Sequence, residues 1–351
     1  MLLVTFHGGS GSSSINNVHV YDTSDGKHLT KDALGAPTQG KLSELRAMVL
    51  ANGLLYVANG AKSQSTVLAY NLPSTGTSFT CAATLIGPSL SNKGHFESAI
   101  AHPFGIVFNG TSCFISNQDT NVVAQVTVSN NGLTGSLVQG PSDYLKGLFP
   151  IGTFLDGTYV ASQVGILSNV NVITTVVDHV HGGLGASLDK GSVKNSVRDV
   201  AIANGILLVC DEPENVVNLY SLTDGSYLGS SNALADGPTH LAINNGGLYV
   251  SAGSTLYWGQ LPPSTSSASL TLQTITPTPP SQGVKIGGIS FDGASTVYVP
   301  YQQGVGGNNP GGSIYSYSVS QQNPPVLSSA KSFVPTLKDT PEFVLYWPGG
   351  S

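Results

Sequence analysis

Eight residues have types and spacing that could do chemistry: Arg46, His102, Phe104, Arg198, Asp199, His240, Lys285 and Glu342. All but Glu342 lie six to eight residues before the glycine of an Asn-Gly or Asp-Gly pair, and Glu342 holds the matching place before the C-terminal tail. Arg46 and Arg198 offer planar forks for a carboxylate or sulfate. His240 suits a general base or a metal ligand. Glu342 could orient that imidazole or share a divalent ion such as Mg or Ca. We therefore read His240 and Glu342 as the catalytic candidates. Arg46, His102, Phe104, Arg198, Asp199 and Lys285 are the ligand-binding candidates. The plainer alternative is that these polar groups bind only water and tie neighbouring elements together.

Other clusters are poorer. Asp178-His179-Val180-His181 would place two imidazoles on one face of a strand, but no third or fourth zinc ligand has a recognisable spacing nearby. Asp211-Glu212-Pro213-Glu214 is an acidic turn without the alternating carboxylates of a calcium loop. His95-Phe96-Glu97 sits in a long insertion that could fold over a site. The glycine-rich segments 8–14 and 304–312 lead into no helix that could take a phosphate, and no serine-hydrolase elbow is present.

The elements that must position these residues form a repeat. An apolar strand, an Asn-Gly or Asp-Gly turn and a second apolar strand recur at 46–58, 104–116, 151–161, 197–210, 240–251 and 286–299. Asn-Gly and Asp-Gly supply the positive φ angles of a two-residue hairpin. The turn glycines are 53, 110, 157, 205, 246 and 293, spaced by 57, 47, 48, 41 and 47 residues. That period matches one four-stranded β-propeller blade, roughly 40–50 residues. The C-terminal strand 342–347 lacks a partner after it, and the N-terminal strand 2–6 lacks one before it. Joined, they make a seventh unit. The sequence thus predicts an all-β, single-domain chain over 1–351: a seven-bladed β-propeller of four-stranded antiparallel blades. It would be closed by a split blade, with the C-terminal strand innermost and N-terminal strands outside it. In this arrangement the candidate residues start the innermost strands, at the mouth of the central channel, in six of seven blades.

Two stretches carry a family resemblance. Phe114-Ile115-Ser116-Asn117-Gln118-Asp119-Thr120-Asn121-Val122-Val123 resembles the YVTN-type repeat, in which a strand ends in Asn before a polar turn. Residues 197–220, with Arg198-Asp199-Val200-Ala201-Ile202 and Leu208-Val209-Cys210-Asp211, resemble a blade of the seven-bladed lactonase family. NHL repeats and streptogramin-lyase propellers share the pattern. The resemblance implies a propeller with a site in or over its channel. Where the lactonase-type blade carries Pro-His, this chain has Val197-Arg198, and no catalytic residue is carried over from the family.

Composition limits the partners. The chain has 351 residues, a formal charge of −6 and only 9% charged residues. No basic stripe exists to track nucleic acid. No apolar run reaches the roughly 18 residues of a membrane span. The start of the chain lacks a basic segment and reads as a strand, not a signal peptide; the Ser-, Thr-, Asn- and Gly-rich composition leans towards a secreted protein. Cys81, Cys113 and Cys210 cannot all pair, and Cys113 and Cys210 fall in apolar strands, as free buried thiols do. The expected function is monomeric binding of a small polar or anionic molecule, or a glycan, at the channel mouth. The alternatives are a metal-assisted lyase or lactonase and a protein-interaction scaffold.

Overall fold

The computed structural model describes all residues except 10, 13, 62–64, 88–99, 101, 119–121, 138–152, 156–157, 161–171, 175–196, 224–226, 278–283, 294, 304–310 and 350–351. The described residues build an all-β propeller of antiparallel blades. The first blade has the strand order Pro341–Tyr346, Leu2–Phe6, His19–Tyr21, His28–Thr30. The second runs from Leu45–Ala51 through Leu54–Asn59 and Thr66–Asn71 to Thr80–Ile86. The third contains Pro103–Asn109, Ser112–Asn117, Val122–Ser129 and Thr134–Leu137. The fourth contains Val197–Ala203, Ile206–Asp211, Val216–Ser221 and Tyr227–Ser230. The fifth contains Pro238–Asn244, Gly247–Ala252, Thr255–Gln260 and Gln273–Thr274. In the sixth, the short strands Lys285–Ile286 and Ser290–Phe291 both pair with Thr296–Gln303, followed by Gly311–Val319 and Leu327–Leu337.

Local chemistry fixes the hairpins. Asn52 and Gly53 have φ of 50° and 72°, Asn204 and Gly205 51° and 75°, and Asn245 and Gly246 48° and 73°. Two successive positive φ angles define the turn whose twist matches its strands. The second strands Leu54–Asn59, Ile206–Asp211 and Gly247–Ala252 are buried along their whole length, because each blade is covered on both faces by its neighbours.

Among the described residues the blade count is six, not the seven that the turn spacing predicts. Each neighbouring pair shares one apolar core. Leu3 and Val20 pack with Leu55 and Leu68 between blades one and two, and Tyr56 and Val67 with Ile115 and Val126 between two and three. Phe114 and Val123 of the third blade pack directly on Leu207 and Val209 of the fourth. Leu208 and Val217 meet Leu248 and Val250; Trp258 meets Val297 and Val299; Tyr298 and Ile314 meet Leu2 and Val4 of the first blade. Among the described residues, no blade lies between the third and fourth. A Cβ on Gly105 would stand 2.5 Å from Asp199 Oδ1 and 2.9 Å from Val200 N. The unit expected at 151–161 is a two-stranded sheet of Thr153–Leu155 and Thr158–Val160, and Val172–Thr174 pairs with Val122–Ser129 of the third blade. An Asp-Gly turn encodes a hairpin, whereas a blade also needs outer strands and two neighbours to bury its faces. Among the described residues, no helix is long and apolar enough to cross a membrane. All three cysteines are free.

Candidate functional site

The inner strands do not run straight into the channel mouth. Their pairing shifts between Leu45 and Met48, Pro103 and Ile106, Val197 and Val200, and Pro238 and His240. The neighbouring strand of the first blade shifts between Val4 and Phe6. Such bulges bend a strand and re-aim its side chains. They fall at Arg46, Phe104, Arg198 with Asp199, and Thr239. Glu44 and His102 also stand in the left-handed backbone region, with φ of 52° and 54°. This conformation is costly for side chains of this kind and gathers at functional sites.

Together these features wall a cavity of about 560 Å³ at one end of the channel. Arg46, His102, Phe104, Arg198, His240, Lys285 and Glu342 all line it. The chain's only two arginines are Arg46 and Arg198, so both converge here. Asp199 stands behind the wall. It is buried and accepts hydrogen bonds from Val200 N and Leu241 N, both at 2.9 Å, which ties the fourth blade to the fifth.

At the centre is a buried carboxylate between two imidazoles. Glu342 Oε1 lies 3.7 Å from His240 Nε2, and Oε2 lies 3.5 Å from His7 Nδ1. Both contacts exceed hydrogen-bond length. Burial alone would raise the Glu342 pKa, but Arg46 first, and then the two imidazoles, hold it well below the usual carboxylate range. His240 Nδ1 meets Thr239 Oγ1 at 2.9 Å, and its ring packs edge-on to Phe343 with centroids 4.5 Å apart. Phe104 supports this group from below, 5.5 Å from the His240 ring, with the Arg198 guanidinium 5.2 Å above its centroid.

The arginines are held rather than free. Arg198 Nε donates to Glu212 Oε2 at 2.7 Å and Nη1 to Gln118 Oε1 at 2.6 Å. Arg46 Nη1 donates to the His7 carbonyl at 3.1 Å, and Nη2 lies 3.6 Å from Glu44 Oε2. Arg46 Nε, His240 Nε2, His7 Nδ1 and Glu342 Oε2 are buried and make no hydrogen bond within the described protein. Native folds leave few such atoms. Burial pushes Asp199 up to about 6, against the opposing pull of His240 and of its two backbone hydrogen bonds.

Sequence spacing missed His7, Glu44, Gln118, Glu212 and Thr239. Glu44 precedes Leu45, just ahead of the window that found Arg46. Glu212 belongs to the acidic turn weighed for calcium, and here it pairs with Arg198 instead. His7 directly follows the strand Leu2–Phe6, which pairs with the Glu342 strand, a position that no turn glycine marks. Among the described residues, no three His, Cys, Asp or Glu side chains are placed to hold a metal ion. Asp178-His179-Val180-His181, His95-Phe96-Glu97 and residues 304–310 lie outside the described residues.

No family model matches the chain, and no curated protein matches it. Solved structures do. A Lactobacillus plantarum protein matches at 13% identity and a TM-score of 0.54, covering 94% of this chain and 82% of its own. A putative 6-phosphogluconolactonase from Bacteroides fragilis matches at 13% identity and a TM-score of 0.54, covering 94% and 81%. Another from Bacteroides uniformis matches at 10% identity and a TM-score of 0.50, covering 94% and 82%. At these identities the chain shares the β-propeller fold with them.

Proposed function

We propose that the chain is a single-domain propeller whose channel-mouth cavity binds a small, hydroxyl-rich molecule bearing an anionic group. The observation that carries this reading is the set of buried polar atoms on Arg46, His240, His7 and Glu342 that make no hydrogen bond within the described protein, on four residues that line one cavity. Each buried polar atom without a hydrogen bond costs about 1–3 kcal/mol, which marks the wall of this cavity as incompletely satisfied. Arg46 and Arg198 hold the anionic end, Phe104 and His240 form the floor, and Lys285 stands at the rim.

A second reading, acid–base opening of a lactone or a lyase reaction, draws on the His240–Glu342 contact. His240 would take or give the proton, and Glu342 would orient the ring and stabilise the imidazolium. The lactonase-named neighbours share the fold and carry no further weight. A protein-interaction scaffold has less behind it. The exposed large hydrophobics among the described residues are Leu29, Tyr227, Ile243 and Val326, spread over four blades.

A panel of sugar acids, aldonolactones, neutral polyols and oligosaccharides tests the reading by thermal shift and calorimetry. Sugar acids should bind, and Glu342→Gln and Arg46→Ala should abolish the binding. Binding unchanged in both variants would overturn the assignment of the cavity. Lactone consumption above the spontaneous rate, lost in His240→Ala, would establish the catalytic reading.

A further inference from the structure

We infer that the protein has a second ligand site, for an aromatic anion, on the outer strands of the first blade. A cavity of about 840 Å³ opens there, larger than the one at the channel mouth and within the size range of small-molecule sites. The outer strands of the first blade, the end of Leu327–Leu337 and the connection 31–42 enclose it. No residue lines both cavities. Asn16 stands between them, its Oδ1 accepting from Gly9 N at 2.9 Å and Glu44 N at 3.2 Å.

Two properties define the ligand. The first is a flat aromatic wall over an apolar floor. His28 stacks on His19 with centroids 4.8 Å apart and planes 29° apart, and on Tyr21 at 4.8 Å and 23°. Leu34, Val334 and Leu337 are buried beneath. Burial first, then the neighbouring His28 and Lys31, push His19 down to about 4, so at neutral pH this ring is an uncharged backing for His28, whose ring forms the outer layer of the wall. The second property is charge. Lys31, Lys41 and Lys338 line the cavity with a single acid, Asp32, in a chain whose net charge is −6. A flat ring carrying a carboxylate, sulfonate or phosphate satisfies wall and rim together.

The test uses a matched pair of fluorescent probes on the full chain. 1-Anilinonaphthalene-8-sulfonate carries the anionic group, and N-phenyl-1-naphthylamine has the same rings without it. The sulfonate should bind saturably at one site, at least about tenfold tighter than the neutral amine. The surface double substitution Lys31→Glu with Lys338→Glu should weaken the sulfonate by about tenfold or more and leave the amine unchanged. Glu342→Gln should alter neither, which separates this site from the one at the channel mouth. Equal affinity for the two probes, non-saturable binding, or sulfonate binding indifferent to the lysine substitutions would overturn the inference.

Discussion

Replacing Glu342 by Gln keeps the shape of the side chain and removes its charge. In the folded protein that charge faces Arg46 and the two imidazoles at 3.7 and 3.5 Å. Removing one member of a buried charged group costs about 3–5 kcal/mol. Because these contacts are long and border an open cavity, we place the loss at the lower end, about 3 kcal/mol. For 351 residues the unfolding entropy is about 0.7 kcal/mol/K, so the melting temperature should fall by about 4 °C. The pH dependence has a definite sign. The Glu342 pKa is depressed in the fold, so its stabilisation is present above the unfolded carboxyl range and lost only as pH falls through the lower folded value. Thermal melts of both proteins from pH 7 downwards should therefore show a gap that persists to about pH 5. A variant as stable as the parent at pH 7, or a gap already closed by about pH 5, would refute the view that Arg46 and the imidazoles hold this carboxylate ionised.

Other outcomes follow from single contacts. Gly105→Ala puts a methyl against Asp199 and Val200 across the seam of the third and fourth blades; denaturant unfolding should show a loss of about 3 kcal/mol or more, whereas a neutral effect would mean the two blades do not touch. Asp199 has its pKa raised to about 6 from 3.8, so its contribution is full below the unfolded value and declines as pH rises towards the folded one. Asp199→Asn should lack that decline, on the order of 2–3 kcal/mol in urea titrations across this range. Tyr56 donates a buried hydrogen bond of 2.9 Å to the Gly132 carbonyl; Tyr56→Phe should cost about 1 kcal/mol in the same assay. Arg198→Lys loses the fork that joins Glu212 and Gln118 and should weaken ligand binding by about tenfold while barely moving the melting temperature.

Local chemistry decides much of this protein, and so the sequence alone reveals it. The pairs Asn52-Gly53, Asn204-Gly205 and Asn245-Gly246 can hardly form anything but tight hairpins, and the apolar runs beside them must be buried. The β-propeller architecture, four-stranded blades and the channel-mouth place of Arg46, Arg198, His240 and Glu342 follow from those signals, because turn type and burial depend on neighbours in the chain. The number of blades does not. Asp156-Gly157 gives the same turn signal as its counterparts, yet Phe114 and Val123 find their covering surface on the fourth blade, and only contact between distant segments settles which hairpins stack. The composition of the site is equally tertiary. His7 meets Glu342 because opposite ends of the chain pair in one sheet. Asp199 turns away from the cavity to bind Leu241 in the next blade, and strand bulges, which leave no mark in residue spacing, aim the rest.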